Sequence, residues 1–213
     1  MRVLALSDVP IQSLYSEHVR PDLAGIDLIL SCGDLDPDYL SFLSCFSSGP
    51  ILYVRGNHDH YEHSAPEGCT CIEDKLYVYK GVRILGLGGS MRYKDGNNQY
   101  TQGEMNRRIR AQQFQLWRHQ GFDILLAHAP AYQIGDGTDL THTGFQGFVG
   151  LMDKYEPQYM VHGHMHQEYT TEFQRVRHYK STTIINAWGQ YIFDIEPPAA
   201  PVRVSARRDE KLE

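Results

Sequence analysis

Five short apolar runs in this chain each stop at a polar residue, and what they stop at constrains the fold more than any other feature. Val3 to Leu6 leads to Asp8, and Ile26 to Leu30 leads to Gly33-Asp34. Ile51 to Val54 leads to Gly56-Asn57-His58-Asp59, Ile124 to Ala127 leads to His128, and Tyr159 to Val161 leads to His162-Gly163-His164-Met165-His166. Apolar runs of this length alternating with amphipathic segments read as β-α-β units and a mainly parallel sheet. In an open α/β sheet the loops at the carboxyl ends of the strands converge on one crevice, so residues far apart in sequence become neighbours there. The expectation is one cluster of carboxylates and imidazoles that ligates metal.

The 213 residues fit one domain of ordinary size, with enough apolar content to bury a core without disulfides. A formal net charge of -6 argues against a chain that coats nucleic acid or an anionic membrane. Cys32, Cys45, Cys69 and Cys71 are sparse for this length. Cys32 and Cys45 fall where a buried strand and a helix are expected, which fits reduced thiols and a cytoplasmic location. The start, Met1-Arg2-Val3-Leu4-Ala5-Leu6-Ser7-Asp8, runs straight into a strand and lacks the layout of a signal peptide. No apolar stretch approaches the ~20 residues of a spanning helix, so no membrane partner is expected.

Between the runs, local chemistry predicts the connecting elements. Asp36-Pro37 suits a cap and first position of a helix carrying Leu40, Leu43 and Phe46, which Gly49-Pro50 stops. Residues 60 to 73 read as a loop, and Lys75 to Gly88 as a hairpin turning at Lys80-Gly81. A loop follows from Gly89 to Gln102. Thr101 and Glu104 have capping-box spacing ahead of a helix with Met105, Ile109 and Leu116 on one face. A second loop, Ala131 to Gly144, precedes a helix marked by Phe145, Phe148, Val149 and Met152 and ended near Pro157. Thr183 to Ile185 and Tyr191 to Ile195 read as two more strands joined around Trp188-Gly189. One domain is expected over residues 1–196, with a polar, Pro/Ala-rich, mobile tail over 197–213.

Taken in order, Asp8, Gly33-Asp34, Gly56-Asn57-His58-Asp59, His128 and Gly163-His164-Met165-His166 resemble the motif set of the calcineurin-like metallophosphoesterase superfamily. The resemblance spans residues 2 to about 195. It implies a four-layered α/β/β/α sandwich, in which two mixed sheets pack face to face with helices outside each. It also implies a metal-dependent phosphoesterase in which a metal-bound hydroxide attacks phosphorus in line, with a phosphodiester weakly favoured over a monoester. On the family pattern Asp34 bridges two divalent metals, Asn57, His128 and His164 complete one, and Asp8 and His166 belong to the other. His58 is then free to stabilise the phosphoryl group or protonate the leaving oxygen, with Asp59 raising its proton affinity and orienting it. Oxygen and imidazole ligands without thiolate suit Mn, Fe or Zn, and a shared carboxylate lets two such ions sit ~3.5–4 Å apart. Gly33, Gly56 and Gly163 allow the backbone to turn sharply or approach the metals. The implied partner is a small phosphorylated substrate.

One departure from the family pattern stands out. The family opens with D-x-H, whose histidine is a further ligand, whereas this chain reads Asp8-Val9-Pro10. One metal is therefore expected to be tight and the other weaker and more exchangeable, with His18 the nearest downstream imidazole. The alternatives are a phosphomonoesterase acting on a nucleotide or phosphoprotein, and a binding or scaffold module that keeps the sandwich without turnover. His142, on the second long loop, and Arg92, with Tyr93 and Tyr100, are candidate substrate contacts. A structural zinc held by His60, His63, Cys69 and Cys71 is disfavoured because C-x-C is tighter than the usual spacing. Arg107, Arg108 and Arg110 read as a solvated helix face.

Overall fold

Three separate apolar clusters stack on one another, and the alternation of side chains along the strands accounts for all three. A computed structural model of the chain describes residues 1–16, 19–61, 65–166 and 174–197. His18, His63 and the tail from residue 198 onward lie outside these described residues. The strands are β1 (Arg2–Ser7), β2 (Leu28–Ser31), β3 (Ile51–Tyr53), β4 (Cys69–Cys71), β5 (Lys75–Tyr79), β6 (Val82–Leu87), β7 (Ser90–Met91) and β8 (Gln99–Tyr100). They continue with β9 (Ile124–Ala127), β10 (Tyr159–His162), β11 (Val176–Tyr179), β12 (Thr182–Asn186) and β13 (Gly189–Asp194). The helices are α1 (Val19–Asp22), α2 (Pro37–Ser44), α3 (Gln102–Ala111), α4 (Gln113–Arg118) and α5 (Gln146–Tyr155).

One sheet has the order β13-β1-β2-β3-β4 and the other β11-β12-β10-β9-β6-β5, with β7 and β8 forming a small third sheet. The inner strands of both large sheets run parallel, and antiparallel partners sit at edges: β13 on β1, β11 on β12 and β5 on β6. Val3, Ala5, Leu28, Leu30 and Leu52 of the first sheet meet Val82, Ile84, Ile124, Leu126, Val161 and Ile185 of the second. The alternate residues face outward. Leu4, Leu6, Ile29 and Ile51 meet Tyr39, Leu40 and Leu43 of α2, while Leu85, Leu125 and Met160 meet Met105 and Ile109 of α3 and Phe148 and Met152 of α5. Two mixed sheets face each other with helices outside both, as expected.

The local expectations held where a short-range device sets the element. The Asp36 carboxylate accepts from the Asp38 N–H at 2.8 Å. Thr101 and Glu104 form a reciprocal capping box. Lys80 and Gly81 both take positive φ, 46° and 85°, which a tight hairpin turn with the natural strand twist requires. Four expectations are corrected. The loop read over residues 60 to 73 contains β4, which pairs in parallel with β3. The helix read through Leu116 is broken into α3 and α4 at Gln112, and β11 had no sequence counterpart. Cys45 is exposed at the end of α2 rather than within a buried helix. The loop read over Gly89 to Gln102 contains β7 and β8, which pair with each other. The two final strands exist as expected, one in each large sheet, so the chain crosses from one sheet to the other around Ala187 and Trp188.

Arg108 is a further correction. It does not lie on a solvated face: its side chain is 11% exposed, pairs with Glu73 and with Asp74 at 2.9 Å, and stacks over the Tyr100 ring at 4.2 Å. Glu73 also accepts from the N–H groups of Arg55 and Gly88. This one ion-pair cluster ties α3 to the backbone entering the Gly56-Asn57-His58-Asp59 turn.

Candidate metal centre

The carboxyl ends of β1, β2 and β3 in one sheet and of β9 and β10 in the other all open on the same edge of the sandwich, so the centre straddles both sheets. One ligand atom each from Asp34, His128 and His164 lies within 4.8 Å of the other two. Asn57 joins them, its side-chain oxygen 3.0 Å from His128 Nε2. Asp8 and His166 form the adjoining half, with His166 Nε2 3.3 Å from Asp8 Oδ1. The six residues expected as ligands are thus brought together, and three carboxylate or amide oxygen donors with three imidazoles suit hard to borderline divalent cations.

Backbone conformation aims these side chains. Asp8, Asp34 and His164 have φ of 64°, 55° and 64°, a left-handed region that costs a non-glycine residue about 1–3 kcal/mol and clusters at functional sites. Glycine supplies the space. A Cβ on Gly163 would stand 1.8 Å from Ser7 Oγ and 2.5 Å from an Asp8 carboxylate oxygen. A Cβ on Gly56 would stand 2.0 Å from Asp34 Oδ1.

Hydrogen bonds fix which atoms are available to ligate. His128 Nδ1 donates to the Cys32 carbonyl at 2.9 Å, which turns Nε2 toward Asp34 and Asn57. His164 Nε2 donates to the Thr141 carbonyl at 2.9 Å, leaving Nδ1 unprotonated. Such outer contacts set the tautomer of a ligating histidine. Asp34 Oδ1 accepts the His58 N–H at 2.8 Å, and Asp8 accepts the His164 N–H at 3.0 Å.

Charge follows from the same contacts. Burial raises and neighbouring histidines lower Asp34, and the histidines win, holding it at about 2. Burial lowers His128, but Asp34 and Asp8 outweigh burial and hold the imidazole at about 9. Burial and the His128 charge together push His164 down to about 3. Oxygen acceptors therefore converge on a His128 Nε2 that carries a proton in the metal-free chain. A divalent cation replaces that proton without changing the donor set, so the residues fit a metal.

The remaining candidates are placed as follows. His58 is exposed at the mouth, and among the described residues its imidazole makes no hydrogen bond. Asp59 is buried, and its carboxylate accepts from the N–H groups of Gly56 at 2.7 Å and Asp34 at 2.9 Å, not from His58. It braces the turn that carries His58. His142 lies over the centre, its ring centroid 5.4 Å from that of His164, and its Nδ1 is 2.8 Å from Asp139. Arg92 is turned toward α3, paired with Glu104 at 2.9 Å, while its neighbour Tyr93 accepts from the Asn57 amide at 3.4 Å. The Cys32 and Thr141 carbonyls had no sequence signal, because any residue carries a carbonyl.

Among solved structures, one superposes with a TM-score of 0.65 at 10% identity, covering 91% of this chain and 94% of its own. TT1561 of Thermus thermophilus superposes with a TM-score of 0.58 at 17% identity over 88% of this chain and 89% of its own. GAP50, the anchor in the inner membrane complex of Plasmodium, gives 0.51 at 12% identity over 87% and 70%. At these identities the likeness establishes the fold alone. No curated protein matches the chain. Residues 1–168 match the family described as calcineurin-like phosphoesterase, a stretch that contains all six clustered residues, and the chain belongs to that family.

Proposed function

We propose that the chain is a metal-dependent phosphoesterase that hydrolyses small phosphodiesters through a two-metal centre. The observation that carries this reading is the convergence of Asp34, His128 and His164 within 4.8 Å, next to Asn57 and the Asp8–His166 pair and beneath an exposed His58. Asp34, Asn57, His128 and His164 would hold one cation, and Asp8, Asp34 and His166 the other. Divalent cations there supply Lewis acidity and a nucleophile at neutral pH.

The chain's own residues do the rest. The His58 N–H is anchored on Asp34 Oδ1, which holds the imidazole over the mouth, where it can give a proton to the leaving oxygen. Asp59 keeps that turn rigid through two backbone amides. His142 covers the His164 side. Pro10 brings no ligand to the Asp8–His166 half, so that half binds its cation more weakly.

The test is metal stoichiometry on chain purified without chelator, together with turnover of bis(p-nitrophenyl) phosphate and p-nitrophenyl phosphate with and without added Mn²⁺. Diester turnover that rises with Mn²⁺ supports the reading, and faster monoester turnover replaces the substrate class. Fewer than two metals bound and no turnover would make the chain a binding module of the same fold, with Pro10 as the structural reason.

A further inference from the structure

Arg55 is a half-buried guanidinium next to the metal centre that has no counter-ion among the described residues. It follows β3 closely, and its backbone is fixed by Glu73 through the Arg55 N–H at 3.0 Å. Its side-chain Nε is buried with no hydrogen-bond partner. The other arginines packed nearby are engaged: Arg108 by Glu73 and Asp74, Arg92 by Glu104. A half-buried cation left without a partner is unfavourable unless something else supplies an anion.

That guanidinium lines a pocket of about 310 Å³ with Asp59, His60, Tyr61, Asn97 and Asn98. The pocket adjoins the metal centre through one turn of chain. Asn57 faces the ligands, His58 is exposed at the mouth, Asp59 is shared between the turn and the pocket, and His60 lines the pocket. Asn98 fixes its wall by donating to the Asp59 carbonyl at 3.0 Å. Tyr61 fixes another part by donating to the Leu35 carbonyl at 2.7 Å. The Asp59 carboxylate is turned to the Gly56 and Asp34 amides and forms no ion pair with Arg55 among the described residues. The pocket thus presents one positive fork in a frame held by these hydrogen bonds, and a guanidinium fork is the chemistry that recognises a phosphate or carboxylate.

We infer that this pocket is a second anion subsite. It holds a phosphate or carboxylate on the leaving arm of the substrate while the scissile phosphate sits at the metal centre and the arm that joins them passes under His58. The inference rests on the phosphodiesterase reading and narrows its substrate class to diesters that carry an additional negative group.

Two substrate pairs, each differing only in the distal anion, test it with the Mn²⁺-loaded full chain. Dithymidylate with and without a 5′-phosphate probes a phosphate, and glycerophosphoserine against glycerophosphoethanolamine probes a carboxylate. The expected result is a KM about tenfold lower for the member with the extra anion in at least one pair, a preference that Arg55→Gln removes and Arg55→Lys partly keeps. Turnover without such a preference, or a preference untouched by Arg55→Gln, overturns the subsite. If no diester turns over, the catalytic reading has failed, and a calorimetric titration of the metal-free chain with 5′-phosphorylated dithymidylate decides the subsite separately. Binding lost in a folded Arg55→Gln upholds it, and absence of binding to the unaltered chain overturns it.

Discussion

His128 Nε2 lies 3.3 Å from an Asp34 carboxylate oxygen, in a position where a proton and a metal ion compete for the same lone pair. With His128 held at about 9 and Asp34 at about 2 in the metal-free chain, the pair is charged at neutral pH. Loading the centre must therefore expel a proton. Calorimetry of Mn²⁺ binding at pH 7 in buffers of different ionisation enthalpy is expected to show release of about one proton per site, and affinity should rise from pH 7 toward pH 9.

The same pair sets a pH dependence for the metal-free fold. The His128 pKa is raised above its ordinary 6.5, so its contribution is fully present below that value and is lost as pH rises through about 9. The Asp34 pKa is depressed below its ordinary 3.8 to about 2, so its contribution is present above the ordinary value and is lost as pH falls through about 2. Thermal unfolding of chelated protein should show Tm falling between pH 7 and 9.5, and His128→Asn should flatten that decline.

His58→Ala should lower kcat by about a hundredfold or more with little change in Tm, because the side chain is exposed and bonded only through its backbone N–H among the described residues. Unchanged turnover in that variant would remove His58 from the chemistry. Asp59→Asn should behave differently. It loosens the two amides that Asp59 holds, so stability and activity should fall together.

Pro10→His places an imidazole two residues from Asp8, whose carboxylate faces His166 at 3.3 Å. The weaker metal should then bind about tenfold more tightly, read as a lower Mn²⁺ concentration for half-maximal turnover. Equal metal dependence in both forms would show that Pro10 does not limit that half of the centre.

Arg108→Ala leaves a mostly buried Glu73 and a partly exposed Asp74 without their shared cation. The expected loss is about 3 kcal/mol, read from urea unfolding. A loss below about 1 kcal/mol would mark the cluster as an ordinary surface pair.

Much of the cluster was legible because each of its residues follows an apolar run, and a polar stop after a buried strand is a strong local signal. Asp8, Asp34, Asn57, His128, His164 and His166 all carry it. Asp59 did not reveal its partners, since a carboxylate next to a histidine in sequence need not touch it, and here backbone amides claim it. β4 was invisible because Cys69-Thr70-Cys71 is only partly buried and shows no apolar run. Arg108 was misread because a helical arginine looks the same whether it meets water or a distant Glu73. The sheet crossing at Ala187 is a tertiary choice, with nothing local to distinguish β12 from β13.

The pairing of β13 with β1 has a consequence for how the chain is made. β1 sits inside its sheet only once Gly189–Asp194 has arrived to cover it. Asp8 likewise meets His164 and His166 across 156 and 158 residues of chain. Contacts of such separation close late and slowly. During synthesis β1 therefore waits with one edge open until β13 has left the ribosome. The metal centre should accordingly be absent from every shorter nascent chain, and helper proteins that shield open strand edges have their longest opportunity here.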